Sequence, residues 1–151
     1  MVQPLYIENS IAINAPIEKV WEALIQPEYT KQYMFGCETV SDWQIGSSLI
    51  WKMEYEGKEI IPVIGYIIRI EPFINLTYSV FDPNSDMADI KENYLNVVYD
   101  LNALEGQTIL KVKQGDYSTV ANGEQRYKES YNEGKGWQPI LEHIKTILET
   151  P

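Results

Sequence analysis

At 151 residues the chain has the length of one ordinary domain, and 44% hydrophobic with 23% charged residues excludes disordered, collagen-like and low-complexity classes. Twelve Lys and Arg against 22 Asp and Glu leave a net charge of −10, the wrong sign for displacing counterions from phosphates, so nucleic acid and anionic membrane surfaces are poor partners. One cysteine, Cys37, and one histidine, His143, exclude an internal disulfide and a His/Cys metal cage.

Leu5 to Ile13 alternates apolar and polar residues, the period of a half-buried strand. The period then changes. Ala15 to Ile25 places Ile17, Val20, Trp21 and Leu24 on one helical face, with Pro16 near the first turn, where its missing N–H costs nothing. Pro27 ends that helix and opens a second over Glu28 to Tyr33, and Cys37 to Trp43 reads as a short strand or loop before Gly46.

From Leu49 the residue types favour strands. Leu49 to Tyr55 alternates, Glu56-Gly57-Lys58 turns a hairpin, residues 59 to 70 are nearly all apolar and β-branched, and Pro72 stops them. Leu76 to Phe81 follows, then a long polar loop from Asp82. Tyr94 to Leu101 and Thr108 to Gln114 flank the turn Leu104-Glu105-Gly106-Gln107. Over Glu124 to Glu149 a helical stripe of Tyr127, Tyr131, Trp137, Ile140, Leu141, Ile144 and Leu148 predicts a long C-terminal helix, with Gly134 and Gly136 marking a kink or a close approach to the sheet. The order is β-α-α, five or six strands, then α: an α+β architecture over residues 1–151, read as a single domain. No run reaches the roughly 18 apolar residues of a membrane span. The start at Met1-Val2-Gln3-Pro4-Leu5 lacks the basic and apolar regions of a signal peptide, so the expected location is the cytoplasm.

Ala15-Pro16, Val20-Trp21-Glu22-Ala23-Leu24 and Pro27-Glu28 together resemble the first-helix motif of the SRPBCC, or START-like helix-grip (Bet v-type), superfamily. Asp42-Trp43-Gln44-Ile45-Gly46, Gly65 to Pro72, and Gly136-Trp137 with Leu141 resemble its branch named for the activator of the ninety-kilodalton heat-shock chaperone's ATPase. The resemblance implies a curved antiparallel sheet of six to seven strands wrapped round the last helix, with an apolar cavity between them. Members of the superfamily include lipid and hormone carriers, polyketide cyclases and chaperone co-factors, so the use of the fold lies in its lining.

The strand and helix periods place Trp51, Met53, Tyr78, Tyr99, Tyr127, Tyr131 and Trp137 mostly on inward faces, and with Met34 and Val63 they form the expected cavity lining. Tyrosine and tryptophan offer a large apolar surface with one polar handle, which suits a small hydrophobic or aromatic ligand held without metal or organic cofactor. No nucleophile–base pair, paired carboxylate motif or phosphate loop commits the chain to a reaction, which leaves a cyclase- or hydrolase-like activity on an aromatic substrate as the weaker alternative. His143 falls off the apolar stripe towards solvent, and Cys37 has no sequence neighbour to activate it. The acidic loop of Asp82, Asp86, Asp89 and Glu92 lacks calcium-ligand spacing, and its length suits a lid. Partners other than a small molecule are a chaperone, implied by the family resemblance, and a second copy of the chain. The second copy would cover the outer face of residues 60 to 68, which is apolar on both sides.

Overall fold

Alternating segments build a seven-stranded antiparallel sheet in the computed structural model, which describes residues 3–150. Met1, Val2 and Pro151, the ends of the span expected to fold as one unit, lie outside the described residues. The strands are β1 (Ile7–Ile13), β2 (Glu38–Ser41), β3 (Ser48–Tyr55), β4 (Lys58–Glu71), β5 (Asn75–Val80), β6 (Leu95–Leu104) and β7 (Gln107–Gly115). They lie in the order β1-β7-β6-β5-β4-β3-β2, so the sheet is open, with β1 and β2 at its two edges.

β4 is the strand that bends the sheet. Its first part pairs with β3 and its last part with β5, and a register shift interrupts each ladder, between Trp51 and Met53 and between Ile67 and Arg69. Such irregularities add local twist and curvature. At Gly65 the two ladders converge: a Cβ there would overlap the Ser79 carbonyl, while the Tyr66 N–H donates to Ser79 Oγ at 3.0 Å.

The helices cover the concave face. Helix α1 (Ile17–Ile25) follows Pro16 and buries Val20, Trp21, Ala23 and Leu24. Gln26 caps it and Pro27 occupies the first turn of α2 (Pro27–Tyr33), so two proline-set boundaries fold the chain back within one residue. The pair is fastened by the Tyr33 hydroxyl donating to the Ala23 carbonyl at 2.6 Å and the Thr39 hydroxyl to that of Ile25 at 3.0 Å.

The helix expected over residues 124–149 is realised as two, α3 (Gly123–Tyr131) and α4 (Gln138–Glu149). Between them Asn132, Glu133, Gly134 and Gly136 all have positive φ, which no α-helix accommodates, so the kink anticipated at the two glycines is a full break. Gly136 is required by contact as well as by φ: a Cβ would stand 2.6 Å from Asn9 Oδ1. Asn9 straps the break to β1, accepting from the Trp137 N–H at 2.9 Å and donating to the Lys135 carbonyl at 3.3 Å. The far end of α4 is tied to the end of the same strand, where Lys145 Nζ donates to the Ala12 carbonyl at 2.9 Å and the Asn14 N–H donates to Glu149 at 2.7 Å. Leu141 and Ile144 are fully buried under α4, and His143 faces solvent.

Candidate functional site

A cavity of about 510 Å³ lies between the inner face of the sheet and the break leading into α4. β3 supplies Trp51 and Met53, β4 Pro62 and Val63, β5 Tyr78 and Val80, β6 Val97 and β7 Gln114. The turn after α2 adds Met34, Phe35 and Cys37, and the C-terminal segment adds Glu129, Ser130, Asn132, Gly136, Trp137 and Ile140. A volume of this size falls within the roughly 300–1,000 Å³ of small-molecule sites.

Six of the nine residues expected to line a cavity do so: Met34, Trp51, Met53, Val63, Tyr78 and Trp137. Three do not. Tyr99 is fully buried behind the wall, its ring 6.1 Å from that of Tyr78 and 5.9 Å from that of Trp137. Tyr127 and Tyr131 stack on each other at 5.5 Å, with Tyr127 edge-on to Tyr117 at 5.6 Å, and Tyr131 is 47% exposed. The break accounts for both, because the stripe that an uninterrupted helix would carry from Trp137 back to Tyr127 is not continuous across residues 132–136.

Sequence reasoning missed the remaining wall residues. Val80 and Val97 stand one strand period from Tyr78 and Tyr99, so alternation carried two residues further reaches them. Gln114 carries a clearer signal, a polar side chain at the inward position after Leu110 and Val112. It accepts from Trp137 Nε1 at 3.0 Å and so joins β7 to the start of α4. Phe35 and Asn132 border the cavity through turn geometry, and Pro62 through the register shift between β3 and β4, neither of which periodicity encodes.

The interior is chemically quiet at neutral pH. Burial raises the Tyr78 hydroxyl well above its ordinary pKa, as does proximity to the Tyr99 and Tyr33 phenols, and burial likewise raises Tyr33 and Tyr99. These phenols stay protonated and act as hydrogen-bonding groups. The Tyr78 and Tyr99 hydroxyls perturb each other, yet no well-formed hydrogen bond joins them and Tyr99 Oη has no partner. Burial pushes the Cys37 thiol up too, away from thiolate. Among the described residues no three His, Cys, Asp or Glu side chains gather as metal ligands. The loop expected as a lid contributes none of its residues to the main cavity wall. Asn93 pins it elsewhere, accepting from the Ala121 N–H at 3.1 Å and donating to the Ala88 carbonyl at 2.8 Å. Among the described residues, no helix is long and apolar enough to cross a membrane.

Residues 14–149 match the profile of a protein family described as Activator of Hsp90 ATPase homolog 1-like protein. The chain is similar to the solution structure of ChR145 from Cytophaga hutchinsonii, at 39% identity and a TM-score of 0.77, covering 99% of this chain and 97% of that one. Its fold is also that of CalU16 from Micromonospora echinospora, at 22% identity and a TM-score of 0.67, covering 95% of this chain and 74% of the other. The solution structure of the Aha1 dimer from Colwellia psychrerythraea superposes with a TM-score of 0.66 at 18% identity, over 99% of this chain and 98% of that one. No curated protein matches the chain.

Proposed function

The chain belongs to the Activator of Hsp90 ATPase homolog 1-like protein family, and we propose that it binds a small hydrophobic or aromatic molecule non-covalently between the sheet and the C-terminal segment. The observation that carries this reading is the cavity itself, about 510 Å³ walled by Trp51, Met53, Val63, Tyr78 and Trp137 and bordered by polar groups chiefly where α3 meets it. The driving force is burial, on the order of 25 cal/mol for each Å² of apolar ligand surface removed from water. The hydroxyl of Tyr78 and the amide of Gln114 orient the ligand rather than supply most of its affinity.

Native and denaturing mass spectra of the protein purified without additive, together with fluorescence of the neutral probe N-phenyl-1-naphthylamine, test the reading. A non-covalent adduct that denaturation removes, or saturable probe binding, supports it. A clean apo mass with no probe binding would overturn it.

The family description favours a second reading, modulation of a chaperone ATPase, and an ATPase assay with the host chaperone decides it. Association with a second copy has a specific observation behind it. Tyr66 and Ile68 on the outer face of β4 are exposed, and no helix among the described residues covers them. Light scattering at micromolar concentration reads the outcome directly; a monomeric mass removes the dimer.

A further inference from the structure

Beyond Glu129 and Ser130 the main cavity adjoins a side chamber of about 180 Å³, and the two share Val63, Val80 and Gln114 as well. What the chamber adds to the wall is mixed: apolar Phe81 and Leu95, with charged Asp82 and Arg126. Arg126 is half-buried and anchored, its Nη1 donating to the Asn93 carbonyl at 3.0 Å and the Ala121 carbonyl at 3.4 Å. A guanidinium has five N–H donors. Among the described residues it pairs with no carboxylate, although desolvation, which lowers its proton affinity, is opposed first by the Tyr117 phenol and then by Asp82.

The acceptors at the same end are similarly half-used. Asp82 and Glu129 are both exposed; Asp82 Oδ1 accepts from the Asn84 N–H at 2.8 Å and Glu129 Oε1 from the Gln125 amide at 3.0 Å, which leaves the other oxygen of each open to solvent or to a ligand. One cation and two anions therefore share one small, partly apolar space with the uncharged Ser130 and Gln114.

Building on the cavity-binding reading above, we infer that this chamber holds the polar head of the ligand and that the head is an uncharged hydroxyl-bearing group. A hydroxyl both donates and accepts, so it satisfies Arg126 and a carboxylate oxygen at once. A carboxylate head only accepts; it gains Arg126 but is set against Asp82 and Glu129 and against a chain of net charge −10. An ammonium head only donates, so it gains the carboxylates and leaves the Arg126 donors without an acceptor, but one cation to two anions gives no charge argument against it. The class selected is thus an apolar or aromatic body ending in an alcohol or diol, rather than a fatty acid.

Calorimetry of the whole protein at pH 7.5 with two probes of equal chain length, decane-1,2-diol and decanoate, tests the inference. The diol is expected to bind roughly tenfold more tightly than decanoate, the size of effect that one unfavourable charge contact produces. In the double variant Asp82→Asn with Glu129→Gln, both existing hydrogen bonds keep an acceptor oxygen and two negative charges are removed. Decanoate should then gain about tenfold while the diol changes by less than about threefold. Wild-type binding of decanoate as tight as the diol would overturn the head-group assignment and leave the cavity reading standing. Failure of both probes to bind would overturn both.

Discussion

Truncating Trp137 to alanine probes the joint between cavity and fold. The residue is 8% exposed, its indole N–H reaches Gln114 Oε1 at 3.0 Å, its ring meets Tyr99 edge-on, and its backbone N–H is held by Asn9. Removal of a buried tryptophan side chain costs about 3–5 kcal/mol. One side of this ring faces an existing cavity rather than packed protein, so fewer contacts are lost and the lower end applies. The Gln114 amide loses a hydrogen bond of about 1 kcal/mol, which water entering the enlarged cavity restores in part. The net cost is about 3 kcal/mol, and at about 2–4 °C per kcal/mol for a chain of this size the melting temperature falls by about 6–12 °C. Trp137→Phe keeps most of the ring and deletes the N–H, so its cost is about 1 kcal/mol or about 2–4 °C. Calorimetric melts of both variants measure these values. A shift below about 2 °C for Trp137→Ala would refute the placement of this residue as wall and anchor, and equal shifts for the two variants would show that the hydrogen bond, not the ring, carries the stability.

Further expectations concern the α1–α2 fastening, one surface carboxylate and the thiol. Tyr33→Phe strands the Ala23 carbonyl that its hydroxyl now caps at 2.6 Å and should lower urea stability by about 1–2 kcal/mol; an unchanged midpoint would contradict the contact. Asp116 accepts from the Leu5 N–H and from the Ser118 N–H and hydroxyl, contacts that hold its carboxyl below the ordinary value. A lowered folded-state pKa stabilises above the unfolded value and is lost as pH falls through the folded one. The melting-temperature advantage of wild type over Asp116→Asn should therefore be full near neutrality and shrink below about pH 4, and a constant difference down to pH 3 would refute it. Cys37 should react with iodoacetamide at pH 7.5 much more slowly than a cysteine peptide, and more slowly still when N-phenyl-1-naphthylamine occupies the cavity it lines; a peptide-like rate would disprove its burial.

The strands were legible because a period of two survives burial on one face. In β6, Leu95, Val97, Tyr99 and Leu101 point inward, and in β7 Thr108, Leu110 and Val112 do. β4 obscured the same signal, since Ile60 to Ile68 is apolar throughout and its two halves serve different partner strands. The C-terminal segment misled for a local reason. Tyr127, Tyr131 and Trp137 satisfy a helical stripe, but only backbone dihedrals disclose that Asn132 and Glu133 join the glycines in a left-handed conformation. Asparagine tolerates that region, so Asn132 beside Gly134 was the available hint. The polar end of the site was hidden because Asp82, Arg126 and Glu129 come from segments more than forty residues apart and meet only after β5, β6 and β7 have paired.

The clamp that Asn9 makes on residues 135–137 separates two mechanical regimes. α4 is seated on Leu141 and Ile144, whereas α3 buries only Gly123 completely and is held by that residue, by Arg126 and, through the Tyr127 ring, by Tyr117. The end of α3 that carries Glu129 and Ser130 runs straight into the positive-φ turn. One wall of the cavity is thus a cantilever, and opening it breaks few buried contacts while the clamp keeps the strain from the core. On the cavity-binding reading, entry of a ligand is a local event with its own free energy, separable from unfolding, so uptake rate and thermal stability should respond independently to mutations on either side of Asn9's grip.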